Sequence, residues 1–139
     1  MDEYYVAHLT DYSLDRLMTP ASATQMMNAA TLEGYKAPEL QKMKKANTKT
    51  DIYSFGILLL EILIGKRPEK SENSIEFVNL PSIVNTVVVE ASTLELFDVD
   101  IFMGMTSPIH DGLLRTIQLS MGCCAPSPSM RPDVKVVIQ

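Results

Sequence analysis

The chain has 139 residues, of which 46% are hydrophobic, 21% charged and 6% aromatic, the balance of an ordinary globular domain and not of a disordered one. That length supports one domain with a real core and hardly two. Twelve basic against seventeen acidic side chains give a formal net charge of −5, which argues against a nucleic-acid partner because phosphates require a basic face.

Residues 3–9 (EYYVAHL) alternate weakly and predict a short strand. Residues 10–34, rich in Thr, Ser, Ala, Met and Asn, keep no period and read as a long functional loop. A short helix is expected over 38–43, with Pro38 tolerated in its first turn. The basic run KMKKANTK, 42–49, reads as a solvated surface segment. The strongest helix signal is TDIYSFGILLLEILIGKRP. Thr48 or Thr50 serves as its cap and Asp51 suits its positive end. Gly65, Lys66, Arg67 and Pro68 end it. Its apolar residues cover nearly every face, so it needs partners on several sides. After a polar loop at 70–74, residues 80–90 predict a helix starting near Pro81 and Ser82, with a strand left open by Val87, Val88 and Val89. Residues 94–102 read as extended or irregular. A helix is expected over 111–121, with Leu113, Leu114, Ile117 and Met121 on one face. APSPSMRP, 125–132, is a proline-punctuated loop, and a last helix begins at 133–139.

No membrane segment is visible. The thirteen residues of the most apolar stretch, 52–64, span only about 20 Å as a helix, and MDEYYVAHL lacks the basic start of a secretory signal. Any anchor of a membrane-bound parent is expected outside this chain. Cys123 and Cys124 are adjacent, which does not suit an ordinary disulfide, so they are expected to be buried small hydrophobes in a reduced, intracellular setting.

The usual catalytic constellations are missing. None of the six glycines stands at the spacing of a phosphate-cradling loop, and His8 and His110 lie 102 positions apart. Ser107, His110 and Asp111 carry triad-type side chains, but a triad is defined by geometry that such close neighbours rarely reach.

Four landmarks nevertheless stand in order: Asp11-Tyr12-Ser13 in the place of a D-F-G, the intact Ala37-Pro38-Glu39 of GYKAPEL, the apolar helix, and CCAPSPSMRP with Arg131. On these the chain resembles, along essentially its full length, the C-terminal lobe of plant leucine-rich-repeat receptor-like kinases, a group that includes kinase-inactive proteins. KMKKANTKTDIYSFGILLLEILIGKRP, EFVNLPS and MGCCAPS look most like its transmembrane kinase-like members. The resemblance implies a mainly α fold, the C-terminal lobe of the protein kinase-like fold without N-lobe or catalytic loop. It implies one partial kinase domain over 1–139, with an activation segment at 10–39, a central helix at about 50–65 and further helices over 80–139. A chain that begins and ends inside the domain is the expectation.

The same resemblance assigns residues. Asp11 matches the aspartate that holds Mg²⁺ on the ATP phosphates, making it the candidate cofactor and metal residue. Tyr12 and Ser13 alter its motif, and Ser13 narrows the freedom that glycine gives. Ser22, Thr24 and Thr31 are the candidate phosphosites of the activation segment. Glu39 is expected to pair with Arg131 as a partly buried ion pair. Asp51 is expected to accept hydrogen bonds from a catalytic-loop backbone, although a helix-start acid explains it equally well.

The chain contains no Gly-rich loop, no strand lysine with its helix glutamate, and no H-R-D loop, so no residue qualifies as catalytic. The expectation is a receptor-like pseudokinase portion that signals by binding proteins. ATP and Mg²⁺ are implied only through the family, and the expected location is the cytoplasmic face of the plasma membrane, or otherwise the cytoplasm. Two alternatives remain: part of an active Ser/Thr kinase, and an independent helical adaptor.

Overall fold

The computed structural model describes residues 8, 19, 21, 22, 25, 30–41, 46–68, 78–89, 96–102 and 107–138. They divide between two units, Met1–Leu32 and Glu33–Gln139. Of the predicted strand at 3–9 only His8 is described, and it lies in no strand. Most of the predicted 10–34 loop before residue 30 and the polar loop at 70–74 fall outside the described residues, while the end of the predicted loop belongs to a 3-10 helix, Ala30–Tyr35. The regular elements are all helical, with no strand among the described residues. No helix among them is long and apolar enough to cross a membrane.

The principal element is α1, Thr48–Ile64. Its cap is Asn47, one residue before Thr48 and three before Thr50, the predicted candidates. The Asn47 Oδ1 accepts from the Lys49 and Thr50 amides (2.9 and 3.2 Å), and the Thr50 Oγ1 accepts from the Asn47 amide (2.8 Å). Thr50 is thus the third helical residue of a reciprocal capping box, which needs a short acceptor at the cap itself. At the other end Gly65 takes φ 70°, and its N–H donates to the Glu61 carbonyl (2.8 Å). A Cβ at Gly65 would overlap the Asp98 carboxylate. Gly65→Ala is therefore expected to cost about 1–2 kcal/mol for the left-handed conformation alone. The check is a lower urea midpoint at unchanged slope.

Two further helices frame α1. In α2, Leu80–Val89, the core-facing residues Leu80, Ile83, Val84 and Val87 follow the 3-and-4 spacing of a helix and not the alternation of a strand, and the valine run is helical. After it comes α3, Val99–Phe102, a single helical turn inside the stretch read as irregular. The long α4, Ser107–Cys123, starts four residues before the predicted position, and its predicted face (Leu113, Leu114, Ile117, Met121) is the one turned to the core. A last short helix is α5, Val134–Val137. The short helix expected over 38–43 is a 3-10 helix over Pro38–Gln41, and residues 42 and 43 lie outside the described residues.

The core gathers Ile57, Leu60, Leu63 and Ile64 of α1, Leu80 and Val84 of α2, Leu96 and Phe97, and Ile117 and Cys124 at α4 and its end. The Asp98 amide donates to the Leu63 carbonyl (2.9 Å), tying the 96–98 stretch to the end of α1. Where α4 meets α1, a Cβ on Gly56 would come within 2.7 Å of the Cys123 Cβ and the Cys124 Sγ. Only glycine permits that approach. The opposite stripe of α1 stays open, with Phe55 39%, Leu58 44% and Ile62 59% exposed in line with Asp51. Apolar residues on every face of α1 thus meet partners on some sides only.

Candidate functional site

The described sequence landmarks converge on the residues that hold the A-P-E segment. Arg131 follows the 3-10 helix Pro128–Met130 in extended backbone (φ −72°, ψ 143°), which turns its side chain inward. Its side chain is fully buried, and the Glu39 side chain is 14% exposed. The Arg131 Nη1 donates to the Glu39 Oε1 (2.6 Å) and the Nη2 to the Oε2 (2.8 Å), a two-pronged carboxylate bond. The remaining N–H groups reach backbone carbonyls: Nε to Ala125 (2.9 Å), Nη1 to Lys49 (2.9 Å) and Nη2 to Pro126 (3.3 Å). All five donors of a guanidinium are thereby used, as burial of that charge demands. The Tyr53 ring lies beneath it, 4.9 Å from the guanidinium carbon. The hydrogen bonds from Arg131 hold the Glu39 carboxyl below the usual carboxylate range, against the desolvation that would raise it.

A second tether holds the start of the segment. The Tyr35 hydroxyl donates to the Glu61 Oε2 (2.5 Å), and the Ser54 hydroxyl donates to the Tyr35 carbonyl (2.9 Å). Glu61 also pairs with the exposed Arg67 (3.4 Å). Gly34 lies so close to Pro68 that an added Cβ would overlap the proline carbonyl. Lys36 pairs with Glu33 (2.6 Å). The A-P-E segment is therefore fixed near both ends of α1, with Ala37 fully buried between the tethers.

Several residues were not legible as members of this site. Lys49 belongs to a run read as solvated surface, yet its ammonium donates to Arg131, Pro132 and Asp133. Tyr53 looked like one more apolar residue of α1. The one usable signal was the proline-rich loop 125–132, which cannot be continuous helix and so leaves carbonyls free to bind a cation.

Asp11 and Thr24 fall outside the described residues. Ser22 belongs to the 1–32 unit, where its hydroxyl donates to the Thr19 carbonyl (2.9 Å). Thr31 sits in the 3-10 helix Ala30–Tyr35. Asp51 stands exposed in the first turn of α1, and its carboxylate accepts no hydrogen bond among the described residues. Cys123 and Cys124 are buried free thiols, and burial pushes that of Cys124 up to about 12. Such thiols are poor nucleophiles.

A family model for the protein kinase domain matches residues 1–139. The chain belongs to the protein kinase family. Among its relatives in Arabidopsis thaliana, the kinase-like protein TMKL1 is 48% identical over 100% of this chain and 21% of its own length. The leucine-rich repeat receptor-like protein kinase IMK3 is 42% identical over 99% of the chain and 17% of its own. A third, named as an inactive receptor kinase, is 38% identical over 76% of the chain and 16% of its own. The chain thus spans about a fifth of the length of TMKL1 and less of the other two. Its helical fold is that of a portion of the kinase C-terminal lobe, and the relatives it matches are themselves named as kinase-like and leucine-rich-repeat receptor-like kinases. ATP and Mg²⁺ belong to that family in general. No group of three His, Cys, Asp or Glu side chains converges among the described residues, and Asp11, the family's expected metal-holding position, lies outside them.

Proposed function

We propose that this chain is a pseudokinase portion of a receptor-like protein that works in signalling by binding other proteins through its A-P-E segment, without transferring phosphate itself. The observation that supports this reading is the double tether. Glu39–Arg131 and Tyr35–Glu61 hold the segment in place using residues of this chain alone, and they leave Glu33, Pro38 and Gln41 exposed. A surface preformed in this way costs little ordering on binding. In this reading residues 10–39 are the activation segment, with Ser22, Thr24 and Thr31 as its phosphoacceptors, and Asp11 is the family's metal-holding position in an altered motif. Asp51 awaits a backbone partner supplied from elsewhere in the domain. Its place is the cytoplasmic face of the plasma membrane.

The purified chain is expected to turn over no ATP above buffer background in the presence of Mg²⁺. It is expected to retain receptor-like kinase intracellular domains in a pull-down that Glu39→Gln weakens and Asp11→Ala leaves unchanged. ATP turnover abolished by Asp11→Ala would instead support the second reading, part of an active Ser/Thr kinase, which the 42% identity to IMK3 favours.

A further inference from the structure

We propose that Lys49 is a positioning residue for the Arg131 anchor, and that the two residues clasp each other reciprocally. The side chain of each bonds the backbone of the other: the Arg131 Nη1 donates to the Lys49 carbonyl (2.9 Å), and the Lys49 Nζ donates to the Arg131 carbonyl (2.8 Å). The ammonium also donates to the Pro132 carbonyl (3.2 Å) and the Asp133 Oδ1 (2.6 Å), so its three protons are all used.

Three observations carry the assignment. Arg131 and Asp133 are both extended, with ψ 143° and 153°, and lie between the 3-10 helix Pro128–Met130 and α5. Among the described residues the carbonyls of 131 and 132 accept no backbone N–H, whereas that of Asp133 accepts from Val136 and Val137. Lys49 supplies the missing donors, and backbone polar groups with restricted access to water need such donors. Next, Lys49 is the second residue of α1, where a cation opposes the positive helix end. Its charge is unfavourable to its own helix and is explained by what it holds. Last, the ion pair with Asp133 cannot be the reason for the arrangement, because the Asp133 side chain is 78% exposed and such surface pairs contribute little.

The clasp holds the Arg131 backbone through the Lys49 ammonium and one edge of its guanidinium through the Lys49 carbonyl, while the Nη1 and Nη2 bond Glu39. It therefore governs how firmly the A-P-E segment is held. Its importance for binding rests on the reading above, but the clasp itself does not, and hydrogen exchange needs no partner. Exchange is compared in the full chain for the wild type, Lys49→Met and Lys49→Arg. In Lys49→Met, peptides covering 33–41, which include the Leu40 amide bonded to the Ala37 carbonyl, and peptides covering 125–133 are expected to exchange about tenfold faster or more. Peptides within 57–64 and 113–121 are expected to keep their protection, and Lys49→Arg to restore part of the loss by supplying donors to the same carbonyls. In a Glu39→Gln background, Lys49→Met is expected to add nothing at 33–41. The proposal is overturned if Lys49→Met changes nothing, if the effect stays within 47–51, if protection falls uniformly along the chain, if Lys49→Arg behaves as Lys49→Met, or if the effect at 33–41 survives in the Glu39→Gln background.

Discussion

Arg131→Ala is expected to destabilise the 33–139 unit by about 3–5 kcal/mol, a large share of the roughly 5–15 kcal/mol that holds a typical domain together. Three losses add up. The Glu39 carboxylate, 14% exposed, loses both its donors. The carbonyls of Lys49, Ala125 and Pro126 lose theirs, and the Tyr53 ring loses the cation above it. Replacing both charged partners, as in Glu39→Leu with Arg131→Met, removes the orphaned carboxylate and should recover part of the stability. Recovery stays incomplete because the three carbonyls remain without donors. Urea unfolding of the single and double variants measures the difference. Equal stability of the wild type and Arg131→Ala would mean that water replaces the guanidinium at no cost.

The pH dependence follows from the same pair. The Glu39 pKa is lower in the folded protein than in the unfolded chain, chiefly through the Arg131 hydrogen bonds. The unfolded state therefore binds the proton more readily. The stabilisation is present in full above the ordinary glutamate pKa, and it is lost as pH falls through the lowered folded value. Acid sensitivity in that window should diminish in Glu39→Gln.

Gly56→Val is the second large effect expected, about 3 kcal/mol, from overpacking where α4 crosses α1. A Cβ at that position meets the Cys123 Cβ and the Cys124 Sγ at 2.7 Å and the Ser120 carbonyl oxygen at 2.9 Å. Two of the three are not flexible tips, being a Cβ atom and a backbone oxygen, so relief requires the two helices to separate. Replacing a mid-helix glycine gains back only about 0.5–1 kcal/mol of conformational entropy, and less with a β-branched residue. The clash wins. Gly56→Ala, which adds the Cβ alone, should fall between the wild type and Gly56→Val. A thermal midpoint for Gly56→Ala at or above that of the wild type would show that the crossing has slack.

What could be read from the chain without its fold was whatever a local pattern records. The extent of α1 was written in its apolar run, its Gly65 terminator and the proline beyond. The face of α4 was written in the spacing of Leu113, Leu114, Ile117 and Met121. Glu39 and Arg131 were found through the order of the A-P-E and the MRP landmarks, since neither residue has a local pattern that points to the other, 92 positions away. The cap at Asn47 was missed by one residue, because Thr48, Thr50 and Asn47 all carry acceptors and only the backbone angles choose among them.

Tertiary structure alone decided the roles of Lys49, Tyr53, Gly56 and the Gly34–Pro68 contact. Each depends on a neighbour distant in sequence: Lys49 on a loop 82 to 84 positions away, Gly56 on the last turn of α4. A lysine in a basic run and a glycine in an apolar helix look the same whether they face solvent or a close backbone. Helical periodicity reports which residues are apolar, not which stripe meets a partner, and so the buried Ile57 and the exposed Ile62 of α1 could not be told apart before the packing was known.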